Sequence, residues 1–437
     1  MGAYEEPKEQ QTHYERPWIE TPLIESTSLS KIAGCRIFLK LENLQPSGSF
    51  KSRAIGNLVR SHVIDPANKG KKLHFFIASA GNAGLGAACA ANLYSFPCTV
   101  AVPANTKPVM VKKLEDNGAR VVKAGNNLNE ASVYMRQIMK ELSQYGSEDC
   151  VANGSTPNGI QKCGCCGNMT NGSKPSEIVP IELHPFDREQ IWEGVSTIAD
   201  ELAYQLPPPD EDMQHGPKKY LPADAIICSV GGGGLMNGII EGIERQSSMY
   251  PKRGNQNHNS TNGNSNHDEN IHIVAVETVG TDSLAASIEN GALTSLPAIT
   301  SMASSLGVLC VAEKTFQNAV SPPPGVKVHS IVLTDADAAR GVLHIADEHK
   351  MLVELACGVA AEVALGRPKA AKATAKSNGQ TNGITRSYLE QMIPNFGPES
   401  RVVVVVCGGS NISLEMAMEW RQRLADGWGA GDDSLQV

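Results

Sequence analysis

Short apolar runs recur along the chain at intervals that leave room for a helix between them. RIFLK (Arg36 to Lys40), HFFIAS (His74 to Ser79), CTVAVP (Cys98 to Pro103), AIICSV (Ala225 to Val230), HIVAVE (His272 to Glu277) and RVVVVVC (Arg401 to Cys407) read as buried strands. Stretches of helical period adjoin most of them. Among these are Asn82 to Leu93 and Pro108 to Asp116, the second opening on a proline suited to a first helical turn. The alternation predicts an α/β fold built on mostly parallel sheets, whose ligands bind outside the carboxyl ends of the strands. Four segments break this texture: 152–175, 207–218, 246–270 and 368–386. They are rich in Asn, Gly, Ser, Pro or Lys and poor in large apolar residues, so they read as flexible surface insertions.

Composition narrows the chemistry. The 437 residues, 41 % hydrophobic, suffice for one large or two medium domains with a substantial core. A net charge of −8 gives no broad basic surface for nucleic acid or an anionic membrane, so a small-molecule substrate is expected. The polar, acidic opening MGAYEEPKEQQTHYERPWIE resembles neither a signal nor a transit peptide, and no stretch reaches the roughly 18 apolar residues of a membrane span. Eleven cysteines, several within apolar runs (Cys89, Cys228, Cys357), read as reduced thiols of a cytoplasmic chain. Cys163, Cys165 and Cys166 in CGCCG suggest a metal clip, but a fourth ligand at zinc spacing is missing and a loop is the simpler reading. The Asn-x-Ser/Thr triplets of the same loops, beginning at Asn153, carry little meaning without a secretory signal.

Three glycine-rich turns follow predicted strands: AGNAG after HFFIAS, GGGGL after AIICSV, and GGSN beyond RVVVVVC. Each lets backbone N–H groups approach a ligand without obstruction by side chains. GGGGLMNG, Gly231 to Gly238, leads into a helix, so it is either a phosphate site or merely a tight turn. It is not a nucleotide P-loop, since Gly-Lys-Ser/Thr is absent, and Met236 breaks a GxGxxG fingerprint. A fourth stretch, QPSGSFKSRAIG, places Lys51 at a helix start behind a proline, a glycine and two serines, an approach more constrained than a surface lysine needs.

Together, QPSGSFK, SAGNAG, SVGGGGL, PFDREQIWEG, LPAITSMASSLGV and VVCGGSNISL resemble the eukaryotic, fungal-like L-serine dehydratases of the serine/threonine dehydratase family. These are pyridoxal-phosphate enzymes of fold type II, the tryptophan-synthase-β-like fold. The resemblance runs from about Thr21 to Met418 and is interrupted mainly at the four insertions. It implies two open twisted parallel-sheet domains: a large one from 1–51 and 150–437, and a small one, 52–149, carrying a substrate-carboxylate loop. It implies that Lys51 forms the Schiff base with the cofactor and serves as the base, with Phe50 and Ser305 on opposite faces of the ring. Gly231, Gly232, Gly233, Gly234 and Leu235 would hold the phosphate, Asn82 the phenolic oxygen, and Ser79, Ala80, Gly81, Asn82 and Ala83 the substrate carboxylate. Cys407 would face the pyridine nitrogen; a thiol, with an ordinary pKa near ~8.5, is a weak donor that leaves the ring neutral and favours elimination.

The same resemblance implies a potassium ion held by Gly231, Glu277, Thr281, Ser283, Leu306 and Val308. Thr281 departs from the alanine expected there, which a backbone carbonyl ligand tolerates. The alternative for Glu277, at the end of an apolar strand, is a salt bridge to Lys or Arg. The activity implied is β-elimination of L-serine to pyruvate and ammonia, and of L-threonine to 2-oxobutyrate, by a homodimer. Threonine deaminase and serine racemase are the alternatives. The first usually appends a regulatory domain, whereas only a short tail follows Asn411, and Cys407 disfavours the second. The intact lysine and Asn loop disfavour a non-catalytic ligand-binding protein.

Overall fold

The computed structural model describes residues 14–145, 178–207, 221–249, 270–366 and 386–430. Ten strands form two sheets: β1 Leu23–Glu25, β2 Arg36–Lys40, β3 Lys72–Ala78, β4 Cys98–Val102, β5 Ala119–Lys123, β6 Ile178–Glu182, β7 Ala225–Ser229, β8 Ile271–Thr278, β9 Val326–Leu333 and β10 Arg401–Val405. The larger sheet has the order β1-β2-β10-β7-β8-β9 and is parallel except for β1, which pairs antiparallel with β2. The smaller sheet, β5-β4-β3-β6, is parallel throughout. All five residues of β10 are buried, as a central parallel strand covered on both faces requires. Its Val404 pairs Leu39 on one side and Ile227 on the other.

All six predicted strands are present, and the helices Asn82–Leu93 and Pro108–Asp116 have the predicted bounds. The pattern gave no sign of β6. It is a half-buried edge strand interrupted by Pro180, and its backbone pairs with β3 from Lys72↔Ile178 to Phe76↔Glu182. The smaller sheet therefore draws on residues beyond 149, where the small domain was expected to end. The segments 152–175, 207–218, 246–270 and 368–386 lie almost wholly outside the described residues, as do Asn153, Cys163, Cys165 and Cys166. One edge needs correction: Gln246 to Met249 complete the helix Gly234–Met249. Gln246 is buried there and donates to Asp200 at 2.7 Å, so the chain remains packed to that point.

Adjacent parallel strands release their loops at one end of a sheet. Because β2, β10 and β7 are neighbours, the segments leading to Lys51, Cys407 and Gly231 emerge side by side. The helix Lys51–Ile64 is anchored by Arg53, which is fully buried. Its guanidinium bonds Glu42 at 2.8 and 2.9 Å and also pairs with Glu201, which in turn accepts from the buried Lys40. Burial opposes the charge on Arg53, but the Glu42 and Glu201 carboxylates outweigh it and hold the group charged. Among the described residues, no helix is long and apolar enough to cross a membrane.

Candidate active site

Lys51 opens its helix at the mouth of this loop cluster. The approach to it is stitched to the segment following β10. Ser49 forms a β-bridge with Gly408, Phe50 N–H donates to the Cys407 carbonyl at 3.1 Å, and Gly409 N–H donates to the Gly48 carbonyl at 2.9 Å. The constrained PSGSF sequence thus fixes where the lysine stem starts. The ammonium donates to the Pro185 carbonyl at 2.7 Å and lies 5.0 Å from the centre of the Phe50 ring. Burial lowers the Lys51 pKa to about 8, with a small opposing effect from Cys407. An amine tuned this far down is available as a nucleophile or base near neutral pH.

Cys407 is buried next to Cys357, and the Ser229 hydroxyl donates to its sulfur at 3.7 Å. The Cys357 thiol and burial together raise the Cys407 pKa well above its ordinary value, so the group stays neutral. The tetraglycine turn lies between this thiol and the helix Gly234–Met249, whose second residue, Leu235, is buried. Gly232 packs on the Phe186 ring: an added Cβ would lie 2.3 Å from it. Gly233 has φ +92°, and a Cβ there would meet Thr315 Oγ1 at 1.9 Å. Glycine is therefore required at both positions for the turn to pack this closely, and the turn ends at a helix N-terminus, whose N–H groups suit an oxyanion such as a phosphate.

The β3 turn supplies a second helix start. Gly81 precedes Asn82–Leu93 without a capping side chain, and its N–H meets Ser79 Oγ at 3.3 Å. Ser79 and Ala83 are buried, while Ala80, Gly81 and Asn82 are half-buried. The Asn82 amide links this turn to the far side of the cleft: Nδ2 donates to Glu354 at 3.1 Å, and Oδ1 accepts from Ser410 N–H at 3.0 Å. Ser305 is exposed in the turn Ser304–Leu306, which Asn411 holds by donating to Ser304 Oγ at 3.1 Å.

The predicted cation residues gather next to this turn. A Cβ on Gly231 would lie 3.2 Å from Leu306 Cα, and Val308 N–H bonds the Leu306 carbonyl at 2.8 Å. Glu277, Thr281 and Ser283 are fully buried. Among the described residues no lysine or arginine pairs with Glu277, contrary to the salt-bridge alternative. Its oxygens accept the backbone N–H groups of Leu284 and Ala285 at 2.8 and 2.9 Å, at the start of the helix Ser283–Asn290. Burial nevertheless raises its pKa to about 8, against the pull of those two bonds. Thr281 Oγ1 bonds the Thr278 carbonyl at 3.0 Å, leaving its own carbonyl to other partners. No group of three or more His, Cys, Asp or Glu suited to a transition metal occurs among the described residues.

Sequence reasoning missed Pro185, Phe186 and Glu354. The first two lie in PFDREQIWEG, a signal in plain view but without an assigned role; Trp192 locks that turn by donating to the Phe186 carbonyl at 3.1 Å. Glu354 lies in an apolar helix start and has no local signature.

A lysine amine, a neutral thiol, a glycine turn and an amide belong to one cluster of loops, and comparison with known proteins decides what it holds. Residues 15–381 match the family model described as pyridoxal-phosphate dependent enzyme. The chain belongs to this family. Within it, the chain is a fold type II member of the serine/threonine dehydratases. It is 35 % identical to an L-serine dehydratase of Saccharomyces cerevisiae (strain AWRI1631) over 406 residues, covering 92 % of this chain and 96 % of the relative. It is 31 % identical to the L-serine dehydratase/L-threonine deaminase of Bos taurus, covering 93 % and 95 %. The crystal structure of a fungal L-serine ammonia-lyase from Rhizomucor miehei superposes with a TM-score of 0.67 at 26 % identity, covering 94 % and 99 %. The glycine cradle and the low-pKa lysine fit a phosphorylated aldehyde cofactor such as pyridoxal phosphate.

The lysine shift has a measurable consequence in cofactor-free protein. Between about pH 8 and the unfolded-state value of 10.5, the unfolded chain binds a proton at Lys51 that the native chain does not, so stability rises with pH across this window. The gain is roughly 3 kcal/mol. Denaturant unfolding of the unsubstituted protein and of Lys51→Met should differ in this slope alone. Equal slopes would place the amine in water.

Proposed function

We propose that this chain is an L-serine ammonia-lyase that converts L-serine to pyruvate and ammonia and accepts L-threonine as a second substrate, giving 2-oxobutyrate. The observation that carries the reading is the stitching of the Lys51 helix start to the Cys407 segment, where Phe50 N–H donates to the Cys407 carbonyl at 3.1 Å, in a chain whose relatives are called L-serine dehydratases. When bound, pyridoxal phosphate supplies the electron sink that weakens the bonds at the amino acid's Cα. Gly231 to Gly234 and the following helix start would hold its phosphate, and Phe50 and Ser305 would flank its ring. Asn82 would donate to its phenolic oxygen, and Cys407 would face its ring nitrogen without lending it a charge. That neutrality limits the sink, favouring loss of the β-hydroxyl over the long-lived carbanion that racemisation needs.

Lys51 has two tasks: to hold the cofactor, and then, once freed, to take the Cα proton from one fixed direction. Its lowered pKa supports both, because far more of the amine is unprotonated near neutral pH than in an ordinary lysine. The uncapped start of Asn82–Leu93, with Ser79 to Ala83, would take the substrate carboxylate. A potassium ion fits next to Gly231. The Glu277 carboxyl, which burial holds toward its protonated form, would give up its proton to balance the ion, and the buried Ser283 hydroxyl makes no hydrogen bond among the described residues.

Supplied with pyridoxal phosphate and a potassium salt, the purified protein should release pyruvate from L-serine and 2-oxobutyrate from L-threonine. Lithium should support less turnover than potassium, and Lys51→Ala should lose at least about 1,000-fold, the scale of a combined nucleophile and base. Exchange of the serine Cα hydrogen without keto-acid release would contradict the lyase reading.

A further inference from the structure

Glu354 is 5 % exposed and stands at the start of the buried helix Leu355–Leu365, although its side chain does not cap that helix. Among the described residues, both hydrogen bonds of its carboxylate go to one oxygen. Oε1 accepts the Asn82 amide at 3.1 Å and the Asn411 backbone N–H at 2.7 Å. Asn82 comes from the smaller sheet's turn, and Asn411 from the loop following β10 of the larger sheet. The two loops also meet directly, since Ser410 N–H donates to Asn82 Oδ1 and Lys113, from the helix Pro108–Asp116, donates to the Ser410 carbonyl. The carboxylate thus sits where three chain segments join.

The partners fix which way the Asn82 amide faces. Ser410 N–H demands the oxygen on one side, and the Glu354 carboxylate demands the NH2 group on the other. A flipped amide would set oxygen against oxygen and N–H against N–H. Glu354 takes one of the two Nδ2 protons, and no acceptor among the described residues takes the other.

We propose that Glu354 is a positioning residue for the cofactor: it orients the Asn82 amide so that the remaining Nδ2 proton is presented to the phenolic oxygen of pyridoxal phosphate. This rests on the functional reading above, in which Asn82 is the donor to that oxygen. Glu354 acts through Asn82, so its value to the cofactor exists only while Asn82 is present.

A double-mutant cycle on the pyridoxal-phosphate dissociation constant tests this, measured by the visible absorbance of the bound cofactor and without an activity assay. Glu354→Ala in the otherwise unsubstituted chain should weaken cofactor binding about 10- to 100-fold, the range for a lost hydrogen bond to a charged group. In an Asn82→Ala background the same change should weaken it less than about threefold, because its target is gone. Glu354→Gln keeps an oxygen at Oε1 for both N–H donors, so it should stay within about threefold of the unsubstituted chain and serves if the alanine variant does not fold. An equal loss in both backgrounds, or a glutamine variant as weak as the alanine one, overturns the proposal. If the unsubstituted protein binds no cofactor, the functional reading itself fails, and the proposal with it.

Discussion

The site rests on a set of charges kept out of water. Arg53 and Lys40 meet Glu42 and Glu201 with nearly no exposure, two positive groups against two negative, so the cluster carries no net charge. Such a set contributes little net stability compared with an apolar core of equal volume, but removing one member strands its partners in a dry interior at a cost of ~3–5 kcal/mol. Its value here is positional. Lys40 ends β2, Glu42 follows it, Arg53 lies in the first turn of the Lys51 helix, and Glu201 belongs to the helix Glu189–Gln205. The guanidinium's planar fork sets the helix relative to the sheet, and the lysine two residues earlier inherits that placement.

Around this anchor the strand order does the rest. Neighbouring parallel strands β2, β10 and β7 deliver a lysine, a thiol and a glycine turn to one edge, while β3 brings a helix start from the second sheet. Burial then tunes two groups in opposite directions: it lowers the Lys51 amine and raises the Glu277 carboxyl. The Cys407 thiol is raised first by its neighbour Cys357 and then by burial.

Much of this was legible in the sequence because it is local. Continuous apolar runs marked β3, β7, β8 and β10, and the glycine turns marked the carboxyl ends of β3, β7 and β10. The short edge strands β1 and β6 were not legible: three residues, or a run broken by Pro180, carry no period, and only their partners define them. Glu354 was hidden for a related reason. Its two donors lie 272 and 57 residues away in the chain, and nothing in its own neighbourhood shows what it bonds. The Glu277 carboxylate was recognised as needing compensation, but the helix start that meets it begins six residues later, in a segment without a strong helical signal.

The account turns on Lys51 as the residue that holds the cofactor, and the most direct test is chemical. Borohydride reduction of the cofactor-loaded protein, followed by proteolysis and mass spectrometry, should find the pyridoxyl group on the peptide containing Lys51 and on no other. Labelling of any other lysine in the unsubstituted protein would contradict the account.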